Sequence, residues 1–228
     1  MAAIVDKSDT ELKTDVLAEL QFEPSVKVTD IGVLVKDGVV TLNGFATNYG
    51  EKWNAVRAAR RVAGVRAIAD DIIIKMVDSQ FRSDGDIAMA VANRMDWSTV
   101  VPTGAVEVSV RDGRVTLEGQ VEWWYQKHAA ESALQNLAGV KEVTNLITLK
   151  PSQSSPDINT IIYSAFERNY LLDARKIQVE TTGNKVVLRG IVRNNDEREE
   201  AERVAWSAPG VYSVDNQVKV KWFWETTD

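Results

Sequence analysis

The chain has 228 residues, 44% hydrophobic and 26% charged, with no cysteine and one histidine. That composition excludes a disulfide framework, thiolate metal sites, a cysteine nucleophile and any multi-histidine metal centre. Lys+Arg 27 against Asp+Glu 33 leaves a formal net charge of −6, which opposes non-specific attraction to a phosphate backbone and argues against nucleic acid as a partner. No apolar run approaches the roughly 18 residues of a transmembrane helix, and the first residues lack the basic and apolar regions of a secretory leader. The expectation is a cytoplasmic protein without a transmembrane segment, or a periplasmic one if an export signal has been removed.

In chain order, the first element is a helix announced by Ser8 and Glu11, a capping box in which the hydroxyl and the carboxylate satisfy backbone N–H groups reciprocally. Leu12, Val16 and Leu20 then recur at helical spacing. Ile31, Val33 and Val35 alternate as a half-buried strand, and Asp37-Gly38 supplies the positive φ angles of a two-residue hairpin that returns through Val40 and Leu42. After Gly44 comes a second helix with the small apolar face Ala55, Ala58, Ala59 and Val62, then Gly64 where a left-handed C-terminal cap is expected, then a strand through Ile72 and Ile74. The order is α-β-β-α-β.

The same order recurs twice. Asp37-Gly38-Val39-Val40-Thr41-Leu42-Asn43-Gly44 returns as Asp112-Gly113-Arg114-Val115-Thr116-Leu117-Glu118-Gly119, and more loosely as Gly183-Asn184-Lys185-Val186-Val187-Leu188-Arg189-Gly190. Gly64, Gly139 and Gly210 follow at the same separation in all three, and Ser83 with Asp86 and Ser154 with Asp157 repeat the capping box. The first-helix stripe becomes Ile87, Val91 and Met95, then Ile158, Ile162 and Phe166; the second-helix face becomes Ala130, Ala133, Leu134 and Leu137, then Ala201, Val204, Ala205 and Ala208. A tandem array of three α+β two-layer sandwiches is predicted, over residues 1–78, 79–153 and 154–228. Each unit is small enough to be marginal alone, so neighbouring units are expected to touch.

The Asp-Gly-x-Val-Thr-Leu-x-Gly hairpin, the later Ala-Gly-Val and the strand after it resemble the BON domain, named for bacterial osmotically inducible and nodulation proteins. The resemblance implies non-enzymatic binding in osmotic stress or at the cell envelope, with attachment to phospholipid surfaces. It also offers potassium binding in the cytoplasm as an alternative. The motif residues Gly38, Gly44, Gly64, Gly113, Gly119, Gly139, Gly183, Gly190 and Gly210 build the fold and perform no chemistry.

No nucleophile elbow, phosphate loop, HExxH or dinucleotide fingerprint is present, so the protein is read as not an enzyme and as needing no cofactor other than, in the alternative, a potassium ion. His128 stands where the sister copies have Trp53 and Glu199, which makes it a helical surface residue. Asp84-Gly85-Asp86 opens like a calcium loop, but a helix follows at once and capping explains Asp86 better. Asp70 recurs as Asn145 and Asn216, which points to a local backbone hydrogen bond at a strand kink.

Two groups are candidate recognition residues. Lys52, Arg57, Arg60 and Arg61 lie on the second helix away from its alanine face, where they could meet anionic phospholipid or an acidic partner, although charges commonly just solvate a helix. Trp123, Trp124 and Tyr125, together with Trp222 and Trp224, are indoles and a phenol suited either to packing between copies or to an exposed patch. The leading expectation is binding of an anionic phospholipid surface or an envelope protein; the rivals are potassium binding and a protein-interaction scaffold. The oligomeric state is not readable from the sequence.

Overall fold

The computed structural model describes residues 7–76, 81–150 and 157–220. In the first copy α1 (Asp9–Phe22) precedes the hairpin β1 (Ile31–Lys36) and β2 (Val39–Ala46), α2 (Tyr49–Arg61) and β3 (Ala67–Ile74). The second copy contains α3 (Asp84–Asp96), β4 (Val106–Arg111), β5 (Arg114–Val121), α4 (Trp124–Ser132), β6 (Glu142–Asn145) and β7 (Thr148–Leu149). The third contains α5 (Ile158–Arg168), β8 (Ile177–Thr182), β9 (Lys185–Val192), α6 (Asn195–Trp206) and β10 (Ser213–Val220). In every copy the second strand is central, antiparallel to the first and parallel to the last. That mixed sheet follows from the connections: a tight hairpin allows antiparallel pairing, whereas the helix between the last two strands is the crossover that parallel pairing needs.

The predicted helix stripes are the buried ones: Leu12, Val16 and Leu20, then Ile87, Val91 and Met95, then Ile158, Ile162 and Phe166. They close three separate hydrophobic cores, one per copy. Asp37 and Asp112 take φ values of 50° and 52°, followed by Gly38 at 72° and Gly113 at 77°. Both central residues of each turn are therefore left-handed, as a hairpin with the strand's own twist demands. Gly44, Gly119 and Gly190 tolerate no side chain. At each, a Cβ would fall within 2.1 Å of a backbone oxygen, of Asp30, Ala105 and Lys176 respectively.

Three expectations are corrected. Gly64, Gly139 and Gly210 do have positive φ, but they are not helix caps. The last turn of α2 tightens, Val62 N–H donating to Ala59, and Gly64 then occupies the third place of a four-residue turn closed by Val65 N–H on the Val62 carbonyl. Equivalent bonds run from Val140 to Leu137 and from Val211 to Ala208. In the third copy Asp157 is itself the N-cap, accepting from Thr160 N–H at 3.3 Å, while its expected partner Ser154 lies outside the described residues. In the second copy the α-helix stops at Ser132, and the chain reaches Leu137 through three-residue hydrogen bonds that still bury Leu134.

Candidate functional site

The three copies are joined by one type of contact used three times. In each, the start of the second helix meets the glycine turn of another copy. Tyr49, the first residue of α2, packs against the core of copy two, and a Cβ on its neighbour Gly50 would lie 2.9 Å from the Gln135 carbonyl. Trp124, the first residue of α4, stacks on Trp206 of copy three with ring centroids 6.4 Å apart. Asn195, the first residue of α6, donates to the Val65 carbonyl of copy one at 2.8 Å. One turn farther along that helix, Glu199 pairs with Arg60 of copy one at 2.9 Å. Copy one thus meets two, two meets three and three returns to one. Head-to-tail contacts that close in this way form a ring.

Each member of the basic cluster predicted from sequence has a partner within the molecule, while Arg57 and Arg60 remain exposed. Lys52 donates to the Ile72 carbonyl at 2.8 Å and pairs with Asp70 at 3.2 Å. Arg57 lies over the Trp53 ring, 4.7 Å from its centroid. Arg60 forms the ring-closing pair, and Arg61 meets Glu19 at 2.9 Å and Glu23 at 3.3 Å. The strand kink behaves as the sequence suggests: Ile72, Ile147 and Val218 N–H groups donate to the side chains of Asp70, Asn145 and Asn216 two residues before them. Trp124 is half-buried between Trp206 and His128, Trp123 and Tyr125 are exposed, and Trp222 and Trp224 lie outside the described residues. The indoles of copy two therefore serve a junction and still reach its surface.

Two features escape the sequence reading. Asp9 and Asp84 brace the hairpins, each carboxylate accepting from both N–H groups of its Asp-Gly turn at 2.8–3.0 Å. The second feature is a set of exposed aromatics, one per copy. Phe22, Trp97 and Tyr170 are 82%, 89% and 92% exposed, and each stands where the first helix of its copy ends. In the third copy Tyr170 comes two residues after the helix, so a residue-by-residue match of the copies pairs Phe22 and Trp97 with Arg168 and hides the set. Tyr170 and Leu171 also border a groove of about 560 Å³ between α5 and α6, with Ile161 and Ala165 on its apolar side and Arg168 and Arg203 among its polar groups.

Buried polar groups support the junctions. Glu51, 7% exposed, accepts from the Thr47 N–H and hydroxyl and from the Lys27 N–H at 2.7–2.9 Å. Burial pushes its carboxyl upward, but these hydrogen bonds outweigh that and hold it below the ordinary value. Gln126 and Glu197 hold the same loop in the other copies. Burial raises the Tyr49 hydroxyl to about 12, with the negative charges of Glu131, Glu142 and Asp70 adding to the effect. Among the described residues no group of three or more His, Asp or Glu side chains could hold a metal ion, and no helix is long and apolar enough to cross a membrane.

The BON domain model matches residues 8–76, 83–151 and 154–221. The chain belongs to the BON domain family. It is 30% identical over 146 residues to osmotically-inducible protein Y of Escherichia coli strain K12, a match that covers 62% of this chain and 73% of that protein. Among solved structures, it is similar to CdsD, a structural protein of the type III secretion system of Chlamydia trachomatis. One CdsD chain matches at 14% identity and a TM-score of 0.26, with 92% of both chains covered; a C-terminal-domain structure matches at 15% and 0.25, with 95% and 98% covered.

Proposed function

We propose that this is a non-enzymatic, stress-associated protein whose three BON units form a ring that attaches to a phospholipid surface by its exposed aromatics. The observation that carries this reading is the placement of Phe22, Trp97 and Tyr170, one per copy, at the ends of equivalent helices and almost wholly in water. Three exposed aromatic side chains, one per copy, can enter a bilayer interface together, and aromatic rings are favoured at that depth. Isolated exposed aromatics need no explanation, but one beside the end of the first helix in every copy does.

The net charge of −6 opposes an anionic membrane, so the apolar contact supplies the binding and local cations orient it. Arg168, two residues from Tyr170 and in the wall of the same groove, is the cation best placed to meet a lipid phosphate. The osmotic association of the Escherichia coli relative supports a stress role, since attachment to a lipid surface is a service an envelope under osmotic load can use.

The test is flotation of the full chain with neutral vesicles and with vesicles containing anionic lipid. The protein is expected to float with the anionic vesicles, and the triple variant F22A/W97A/Y170A to remain at the bottom with an unchanged melting temperature. Flotation by the triple variant, or none by the parent protein, refutes the reading.

A further inference from the structure

We propose that the junction between copies two and three is a binding site for a small zwitterion bearing a trimethylammonium group. A cavity of about 330 Å³ opens there, lined by the indoles of Trp123, Trp124 and Trp206, with Glu122 and Lys150 as its charged groups. A trimethylammonium cation has no N–H to donate, so it is recognised by the negative faces of aromatic rings, indole being the best of them. Neither the Glu122 carboxylate nor the Lys150 ammonium has a side-chain partner among the described residues. One charge of each sign beside the exposed indole of Trp123 and the Trp124–Trp206 stack complements a ligand with a cationic head and an anionic tail.

Copy two gives up local stability to build this cavity. At the residue before the second helix, Asn48 and Asn194 cap their helices by accepting from Glu51 N–H at 2.9 Å and Glu197 N–H at 2.8 Å. The matching residue is Trp123, whose indole nitrogen can only donate, and α4 has no side-chain cap. Among the described residues no indole lines the equivalent cavities at the other junctions: one is lined by Thr47, Asn48 and Met76 against the turn of copy two, the other by Arg60, Arg66 and Asn195 among others. The shared fold therefore does not require an indole at this position, and a local rule broken without structural gain is a mark of function.

Such a ligand could be a free trimethylammonium carboxylate or the phosphocholine head of a lipid, and separate probes distinguish them. The full chain is titrated with glycine betaine, with phosphocholine, and with 3,3-dimethylbutanol, in which carbon replaces the charged nitrogen, by calorimetry and indole fluorescence. Saturable binding of betaine or phosphocholine is expected, with at least about tenfold weaker binding of the uncharged isostere. Stronger binding of betaine assigns a free solute, and stronger binding of phosphocholine assigns a headgroup. The variant W123N, which restores the asparagine of the sister copies, should fold with an undiminished melting temperature and lose binding at least about tenfold. F22A/W97A/Y170A should bind as the parent does, whatever the outcome on vesicles. No saturable binding of either charged probe, equal binding of the isostere, or unchanged binding by W123N overturns the proposal.

Discussion

The junction between copies two and three and the one between copies three and one occupy the same places in the fold but use opposite chemistry. The first stacks Trp124 on Trp206 and draws Trp206 and Tyr212 against the core of copy two. The second places Asn195 on a backbone carbonyl and Glu199 on Arg60, two groups that remain about half exposed. Apolar burial scales with area and is not screened by salt, whereas an exposed ion pair contributes little and is screened. The ring therefore has a firm seam and a weak one, and the weak seam joins the two copies most distant along the chain.

The contrast is most severely tested by W206A. Removing a half-buried indole at the firm seam should cost about 2 to 3 kcal/mol in urea denaturation, with loss of protection in copies two and three by hydrogen exchange. A smaller effect is expected from N195A, about 1 to 2 kcal/mol, because the Val65 carbonyl loses its donor in a buried setting. Smaller still, E199A should cost less than about 1 kcal/mol, and the difference from the parent should vanish at high salt. If E199A proved as damaging as W206A, the ranking of the two seams would be wrong.

Acid sharpens a second comparison, between copies one and two. The Glu51 carboxyl is held below the ordinary glutamate value in the folded protein, so the stability it contributes is complete above that value and is lost as pH falls through the lowered one. Gln126 holds the same loop in copy two without a titrating proton. Hydrogen exchange on acidification should therefore show the loop before α2 loosening ahead of the loop before α4, and E51Q should remove the difference. Equal pH dependence in the parent protein would show that Glu51 is not the responsible group.

The fold was legible because its signals are local and appear three times. The Asp-Gly turns, the helix stripes and the Asp70, Asn145 and Asn216 positions each depend on residues within a few places of one another, so repetition turns weak signals into firm ones. The junctions depend on residues from different copies, and one of them uses the backbone oxygen of Val65, which no side-chain pattern can reveal. Divergence at Tyr49, Trp124 and Asn195 looks like drift in the sequence, whereas in the structure it gives each junction its own chemistry. The partners of the candidate basic cluster were hidden for a related reason: its positions on the outer side of α2 were readable, but Glu19, Glu23 and Glu199 come from elements the helix meets only after folding. The set of exposed aromatics was hidden by the two-residue offset of Tyr170.

The closed order of the copies is tested most directly by cross-linking copy three to copy one. With no native cysteine in the chain, the pair R60C/E199C can be treated with a short bismaleimide at low protein concentration and its products mapped by mass spectrometry. A ring predicts rapid intramolecular linkage between the two positions in nearly every molecule, while three copies strung in an open line would leave both thiols singly modified.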